Sequence, residues 1–169
     1  LPVPEKTGFD FCGWYDSEEY NGEPYQNGEI CDLTENKTLY AKWREKQFQI
    51  SFTGEQSAGL EDKIVTYNHP IGELPNLQRE GYTFLGWKTS DGEYYTPDTV
   101  YAEVSDITLI SAWEAKQYTV TLNPNGGVLT GPADFTVTYD QDFLISAQIR
   151  RNGYIFEGWY DSNGLKYAK

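Results

Sequence analysis

The chain has 169 residues, of which 38% are hydrophobic, 16% are aromatic and none is methionine, a composition that favours small β-rich domains with aromatic cores. The formal net charge of −13 argues against a surface for nucleic acid, polyanions or anionic membranes, because each of these ligands needs clustered positive charge. No run of about 18 apolar residues is present, so the sequence predicts no membrane insertion.

One short signature recurs along the chain. The pattern G-[FY]-x-F-x-G-W occupies residues 8–14, 81–87 and 153–159, at offsets of 73 and 72. A second element, Leu39–Trp43, recurs as Leu109–Trp113 at an offset of 70. Several elements that recur in the same order indicate a tandem array with a period of about 70 residues.

These offsets divide the chain into three repeats. They are 1–46, the rear part of a first repeat, 47–116, a complete second repeat, and 117–169, the front part of a third. An incomplete repeat leaves a strand edge without its partner, so self-association through the end repeats is one hypothesis for the chain.

The complete second repeat contains the full series of strand patterns, and the two partial repeats contain the corresponding parts in the same order. In the second, Gln47–Thr53 alternates apolar and polar residues, and Lys63–Tyr67 is rich in β-branched residues. In the third repeat, the cluster Asn123–Gly127 predicts a turn after the first strand. Residues Thr96–Val104 are expected to be irregular or to form one helical turn, before a closing strand at Ile107–Trp113. The predicted fold class is therefore β-rich α+β, with mostly antiparallel strands.

The signature strand is predicted to supply core aromatic residues. Tyr82 and Phe84 alternate onto one face, and a bulge at Gly86 would return Trp87 to that face, so that the three aromatics line one core. The position before the second glycine is expected to face outward, because it holds cysteine, leucine and glutamate in the three copies. The structural signature residues are Trp14, Trp43, Trp87, Trp113, Trp159, Gly13, Gly86 and Gly158.

Taken together, these elements resemble a known family. The signature, the Leu39–Trp43 element (LYAKW), the Asn123–Gly127 turn (NPNGG) and the recurring V-T-Y triplet are similar to the Listeria–Bacteroides repeat, the B-repeat of internalin B. The resemblance implies a β-grasp-like (ubiquitin-like) module found in tandem in bacterial secreted and cell-surface proteins. It also implies a role as stalk, spacer or adhesion module, with a host or cell-wall protein or glycan as partner.

No set of residues suggests catalysis. His69 is the single histidine, lies in a turn sequence and has no nucleophile motif near it. The segment Asp161–Gly164 begins like a calcium loop but lacks the remaining ligands, so a tight turn is the better interpretation. We expect a protein that is not an enzyme, with no metal site and no cofactor.

A carbohydrate-binding module is the alternative function, because aromatic rings can stack on sugar faces. The candidates are tyrosines outside the alternating core pattern: Tyr15, Tyr25, Tyr94, Tyr95 and Tyr101. A basic residue also stands two places before each signature glycine, and it could contact a ligand or be a solvated charge or part of a rim ion pair. These residues are Lys6, Arg79 and Arg151.

The two cysteines, Cys12 and Cys31, lie in the first repeat. An even number of cysteines in an extracellular protein permits a disulfide, which would close a loop of about twenty residues and contribute roughly 3 kcal/mol. A disulfide between them is a hypothesis.

Overall fold

The computed structural model describes residues 1–26, 28 and 34–168, and these residues form strands, turns and loops without any helix. It follows that none of the described segments is a helix capable of crossing a membrane. The strands are β1 (Phe9–Tyr15), β2 (Tyr40–Glu45), β3 (Gln47–Thr53), β4 (Lys63–Thr66), β5 (Tyr82–Lys88), β6 (Tyr94–Tyr95), β7 (Ile107–Ala115), β8 (Gln117–Thr121), β9 (Val128–Thr130), β10 (Asp134–Thr138), β11 (Gln148–Arg150), β12 (Trp159–Tyr160) and β13 (Lys166–Ala168).

The second repeat contributes the largest sheet. Its five strands lie in the order β4-β3-β7-β5-β6. The central strands β3 and β7 run parallel, with Ile50 opposite Ile107, whereas β3–β4 and β5–β6 are antiparallel pairs. The first and last strands of the repeat are thus neighbours in the middle of the sheet, and each has its own outer partner.

The core of this repeat forms on the central strands. Ile50 on β3 and Leu109 on β7 are fully buried, because alternation along each strand directs them to the same covered face. Trp87 on β5 is 1% exposed and packs on Phe52 at a ring-centroid distance of 4.7 Å. The aromatic rings therefore supply much of the buried apolar surface that the few aliphatic residues cannot.

The helical turn that the sequence permits at Thr96–Val104 does not form. Ile71 and Gly72 donate their backbone N–H groups to the carbonyl oxygens of Thr99 and Pro97, and Tyr101 N–H bonds to the His69 carbonyl. Because these backbone groups form hydrogen bonds between residues 97–101 and residues 69–72, they are not available for hydrogen bonds within a helix. The α component of the predicted fold class is therefore wrong for the described residues, whereas the mostly antiparallel pairing is confirmed.

The predicted bulge is present in the signature strand of the first repeat. Phe11 lies opposite Trp43 and Gly13 lies opposite Lys42, so Cys12 is the extra residue. Gly13 has a φ of 125° and its counterpart Gly86 a φ of 114°, values that side-chain-bearing residues rarely adopt. In the second repeat the residue before the glycine, Leu85, is 46% exposed, as the outward position predicts.

The described residues also form four two-stranded sheets. β1 pairs with β2, β8 with β10, β9 with β11, and β12 with β13, all antiparallel. The chain separates into two compact units, one formed by 1–77 with 85–112 and the other by 78–84 with 113–169. The division passes through β5 and β7, so the units do not coincide with the sequence repeats.

Candidate functional site

Three of the five tyrosines predicted as contact residues are buried, so that part of the prediction is wrong. Tyr101 is fully buried, and Tyr15 and Tyr95 are each 7% exposed. Tyr101 donates its hydroxyl proton to the Ser105 carbonyl at 2.6 Å, and burial raises its pKa to about 12. These rings are core residues beside turns in the sequence: Tyr15 ends β1 just before a turn, and Tyr95 and Tyr101 follow turns, so alternation alone did not assign them to the interior.

The remaining two tyrosines differ from each other. Tyr94 is 46% exposed on the edge strand β6. Tyr25 is half-buried and accepts a hydrogen bond from Lys37 at 2.9 Å, while the same ammonium pairs with Asp16 at 3.0 Å. The hydrogen bond from Lys37 holds the pKa of Asp16 below its usual value. Of the five candidate tyrosines, only Tyr94 therefore remains an exposed ring of the kind that a sugar platform requires.

An acidic cleft of about 390 Å³ lies beside Tyr95. Asp91, Glu93 and Glu103 line it together with Ile107 and threonine side chains. Burial raises the pKa of the Tyr95 hydroxyl, and the neighbouring carboxylates Glu103, Glu93 and Asp91 act in the same direction. Within the described residues, no three His, Cys, Asp or Glu side chains converge to hold a metal ion.

The segment at Asp161 is a turn, as the sequence predicts. Its carboxylate accepts backbone N–H bonds from Asn163 and Leu165, both at 2.9 Å, and the Leu165 bond lowers its pKa most. His69 pairs with Glu45 at 2.7 Å on the surface. Of the cysteines, Cys12 is half-buried on β1 and Cys31 lies outside the described residues, so the disulfide stays a hypothesis.

The signature tryptophans have defined structural partners. The indole of Trp87 donates to the Pro75 carbonyl at 2.7 Å, and that of Trp14 donates to the Pro2 carbonyl at 2.8 Å. The other three each contact a signature phenylalanine: Trp43 meets Phe11, Trp113 meets Phe84, and Trp159 meets Phe156. The ring of Tyr82 packs on Tyr139 and its hydroxyl donates to Asp140 at 3.2 Å, and its place in one core with Phe84 and Trp87 stays a prediction.

A recurring contact joins each repeat to the next through one lysine. Lys46 follows β2 directly and precedes β3, and it donates its N–H to the Gly8 carbonyl at 2.9 Å. Its own carbonyl accepts the N–H of Tyr67 at 2.9 Å, so both of its backbone groups are bonded, one to each repeat. Lys116 is placed in the same way between β7 and β8. It donates to Gly81 at 2.8 Å and accepts from Tyr139 at 2.9 Å.

A glycine and a tyrosine meet at each of these junctions. The ring of Tyr67 lies on Gly8, and the ring of Tyr139 lies on Gly81, so closely that a Cβ atom on either glycine would overlap the ring. The two glycines have φ values of 76° and 75°. The first glycine of the signature is therefore a docking point for the following repeat as well as a turn residue.

The residue after each of these glycines packs edge to face with the same tyrosine. Phe9 and Tyr67 have ring centroids 5.7 Å apart at 74°, and Tyr82 and Tyr139 have centroids 5.6 Å apart at 78°. Such aromatic pairs contribute about 0.5–1.5 kcal/mol beyond the area that they bury. The two junctions are thus built from the same contacts in the same geometry.

The basic residue before each signature glycine stacks on the aromatic ring after it. Lys6 Nζ lies 3.9 Å from the Phe9 ring centre, the Arg79 guanidinium 3.7 Å from Tyr82, and the Arg151 guanidinium 4.0 Å from Tyr154. A cation over a ring face is attracted by the ring quadrupole. These residues are therefore neither simply solvated nor confined to ion pairs, and the sequence analysis, which considered a ligand contact, a solvated charge and an ion pair, did not include stacking on the neighbouring ring.

The family model of the Listeria–Bacteroides repeat domain matches residues 1–42, 48–111 and 118–169. The chain belongs to the Listeria–Bacteroides repeat family. Each matched segment falls within one of the three repeats assigned from the sequence offsets, and each contains one signature. The junction lysines, Lys46 and Lys116, lie between the matched segments, which is where a linker would be expected.

Two curated relatives illustrate what this Listeria–Bacteroides repeat chain is similar to. It is 32% identical over 158 residues to a protein named "Putative membrane protein" from Evansella cellulosilytica, with 93% of this chain and 23% of the relative covered. It is 35% identical over 99 residues to internalin H of Listeria monocytogenes, with 56% of this chain and 17% of the relative covered. The chain thus spans about a fifth of the length of these relatives. No solved structure matches the chain significantly.

Proposed function

We propose that this chain is a non-catalytic part of a bacterial secreted or cell-surface protein, in which it acts as a spacer that holds neighbouring domains apart. The single observation that carries the proposal is the junction, in which Lys46 and Lys116 have both backbone groups bonded. A spacer has to resist bending at its linkers, and a linker of one fully bonded residue has little freedom to bend. The names of the relatives, a membrane protein and an internalin, support a surface location.

A β-grasp-like arrangement of the second repeat, which we also propose, fits the same function. The central parallel pair β3–β7, with β4 on one side and β5–β6 on the other, favours a β-grasp-like sheet without a covering helix. In such a sheet the first and last strands are adjacent. Because these two strands run parallel, the chain enters the repeat at one end of the sheet and leaves it at the other, and it passes from β7 to β8 through the single residue Lys116.

The carbohydrate-binding alternative has weaker support. A sugar platform needs exposed rings, and of its five candidate tyrosines only Tyr94 is more than a third exposed. No second exposed ring of that candidate set lies beside it.

Distance measurements between spin labels test the spacer proposal. Labels at Thr38 and Glu61, both exposed and on either side of the Lys46 junction, would be introduced after both cysteines are replaced by serine. We expect a narrow distance distribution that broadens with Tyr67→Ala. The matched control is Tyr94→Ala, which removes an exposed ring away from this junction and should leave the distribution narrow.

A distribution that is already broad in the unaltered chain would contradict the spacer proposal. A narrow distribution that Tyr67→Ala leaves unchanged would show that the backbone bonds of Lys46, and not the ring of Tyr67 on Gly8, hold the junction.

A further inference from the structure

One ring contact at the second junction joins two tyrosines. Tyr82 and Tyr139 have ring centroids 5.6 Å apart at 78°, and they lie on either side of Lys116 in the sequence. The first junction has Phe9 in place of Tyr82, packed on Tyr67 in the same way. We propose that Tyr82 and Tyr139 are a site of oxidative modification, at which a one-electron oxidant of the peroxidase class joins the two rings as dityrosine.

The two rings are close enough to couple. Their centroid distance of 5.6 Å lies within the range of about 4.5–7 Å for packed aromatic pairs, so the edge of one ring contacts the face of the other. The Tyr139 ring also lies on Gly81, the residue before Tyr82, and this contact keeps the two rings together. Because both radicals would form on one chain and in contact, coupling needs no diffusion of one ring to the other.

The Tyr82 hydroxyl has a proton acceptor in place. It donates to Asp140 Oδ2 at 3.2 Å, and Asp140 is the residue after Tyr139. A phenol that loses an electron near neutral pH also loses its hydroxyl proton, and a carboxylate within hydrogen-bond reach can take that proton. An oxidant can reach both rings, because Tyr139 is 37% exposed and Tyr82 is half-buried.

The reaction balances with hydrogen peroxide as the oxidant that the peroxidase consumes. Each tyrosine loses one electron and its hydroxyl proton, which leaves a neutral radical on the ring. The two radicals form one carbon–carbon bond between the positions ortho to their hydroxyl groups. The hydrogen atoms on those two carbons then move to the oxygens, which restores both phenols. Two tyrosines and one hydrogen peroxide thus give one dityrosine and two water molecules.

Another tyrosine pair shows what the second junction adds. Tyr15 and Tyr20 have ring centroids 5.6 Å apart at 80°. However, Tyr15 is only 7% exposed, and the Tyr20 hydroxyl donates to the backbone carbonyl of Ala41 at 3.5 Å. A backbone carbonyl accepts a hydrogen bond but does not take up the proton near neutral pH, as a carboxylate can. Ring contact, access and a carboxylate are thus combined at Tyr82 and Tyr139.

The cross-link would fix the second junction covalently, because it joins residues on both sides of Lys116. The first junction would stay as it is, because Phe9 has no hydroxyl. The inference goes beyond the proposed spacer function and does not depend on it. A narrow label distribution across Lys46 without a cross-link at Tyr82 would leave the spacer standing and overturn the cross-link. A broad distribution together with the cross-link would do the reverse.

Oxidation of the full chain in dilute solution tests the proposal. The chain is treated with a haem peroxidase and hydrogen peroxide, the monomer is isolated by size exclusion and digested with trypsin, and the peptides are identified by mass. We expect a species that joins Glu80–Lys88 to Gln117–Arg150 and is lighter by two hydrogens than the two peptides together. Fragmentation should place the bond at Tyr139 and not at Tyr118, the other tyrosine of its peptide.

Two substitutions separate the roles of the ring and of the carboxylate. Tyr82→Phe keeps a packed ring, as Phe9 does in the first junction, and should abolish the cross-linked species. Asp140→Asn keeps an oxygen that accepts the hydroxyl and suits the φ of 59° at this position, but an amide does not take up the proton, so the rate of cross-linking should fall severalfold. Tyr154→Phe removes a tyrosine that is 65% exposed, and as the control it should leave the rate unchanged.

An oxidised monomer without a bond between Tyr82 and Tyr139 would overturn the proposal. Dityrosine found only between different chains would also contradict it, because exposed tyrosines would then couple by collision. A rate in Asp140→Asn equal to that of the parent would overturn the role assigned to the carboxylate.

Discussion

Gly81 lies directly beneath the ring of Tyr139, and no side-chain carbon fits between them. The pair repeats the contact of Gly8 with Tyr67 in the preceding junction. The glycine that opens the signature is thus also the point at which the next repeat docks. The contribution of this contact to the free energy of unfolding can be measured.

Gly81→Ala should destabilise the chain more than Gly153→Ala. Both glycines have a positive φ, 75° and 78°, so both substitutions carry a backbone cost of roughly 1–3 kcal/mol. Only at Gly81 does the new methyl group overlap a ring, which adds about 1–3 kcal/mol of overpacking. Urea unfolding followed by tryptophan fluorescence gives both free energies of unfolding. Equal losses for the two variants would show that Tyr139 moves aside at no cost.

Trp87→Phe should cost more stability than Trp14→Phe. Both indoles donate to a proline carbonyl, but Trp87 is 1% exposed whereas Trp14 is only half-buried. In Trp87→Phe, losing the indole leaves a buried cavity and an unpaired carbonyl at Pro75. Together these lower the free energy of unfolding by about 2–4 kcal/mol. Calorimetric melting temperatures for the two variants compare the costs, and a larger drop for Trp14→Phe would contradict the burial argument.

Arg79→Ala should raise the pKa of Tyr82 further. Burial already raises that pKa, and the Arg79 charge acts against it, so removing the charge leaves the burial effect unopposed. Arg79→Lys is the matched control, since Lys6 holds the equivalent position over Phe9 at 3.9 Å. An ultraviolet titration of the tyrosines in each variant and in the parent measures the change in the Tyr82 pKa as a difference between the two curves. A lower tyrosine pKa in Arg79→Ala than in the parent would show that the guanidinium does not act on the ring.

Alkaline pH should destabilise the chain through Tyr101. Its pKa is about 12 in the folded chain and 10.0 ordinarily, so between these values the folded state holds a proton that the unfolded state has lost. The stability that it contributes is full below pH 10 and is lost as pH rises towards 12, by about 2–3 kcal/mol for a shift of this size.

The control for this pH dependence is Tyr101→Phe. Phenylalanine cannot ionise, so the variant should be less stable at neutral pH, where the bond to Ser105 is lost, and should lose less stability between pH 10 and 12. Parallel slopes for parent and variant over that range would mean that other tyrosines carry the effect.

The sequence predicted the strands and the repeats because both leave a local pattern. Alternation marked β3 at its observed limits, Gln47–Thr53, and the glycine within the signature marked the bulge found at Cys12. The interior positions of Tyr95 and Tyr101 depend on how short segments after turns fold back over the sheet, which no periodicity records. The recurring V-T-Y triplet, which includes Tyr67 and Tyr139, was visible as a repeat element. Its place on the glycine of the preceding repeat was not, because that contact joins residues far apart in the sequence.

Nitrogen-15 relaxation at the amides of Lys46 and Lys116 tests the rigidity of the junctions most directly. Both amides are hydrogen-bonded to the preceding repeat, and both carbonyls are bonded to the following one. Rigid junctions should give order parameters of about 0.85 at both lysines, equal to those of the flanking strands. Order parameters below about 0.6, the range of flexible linkers, would contradict that rigidity.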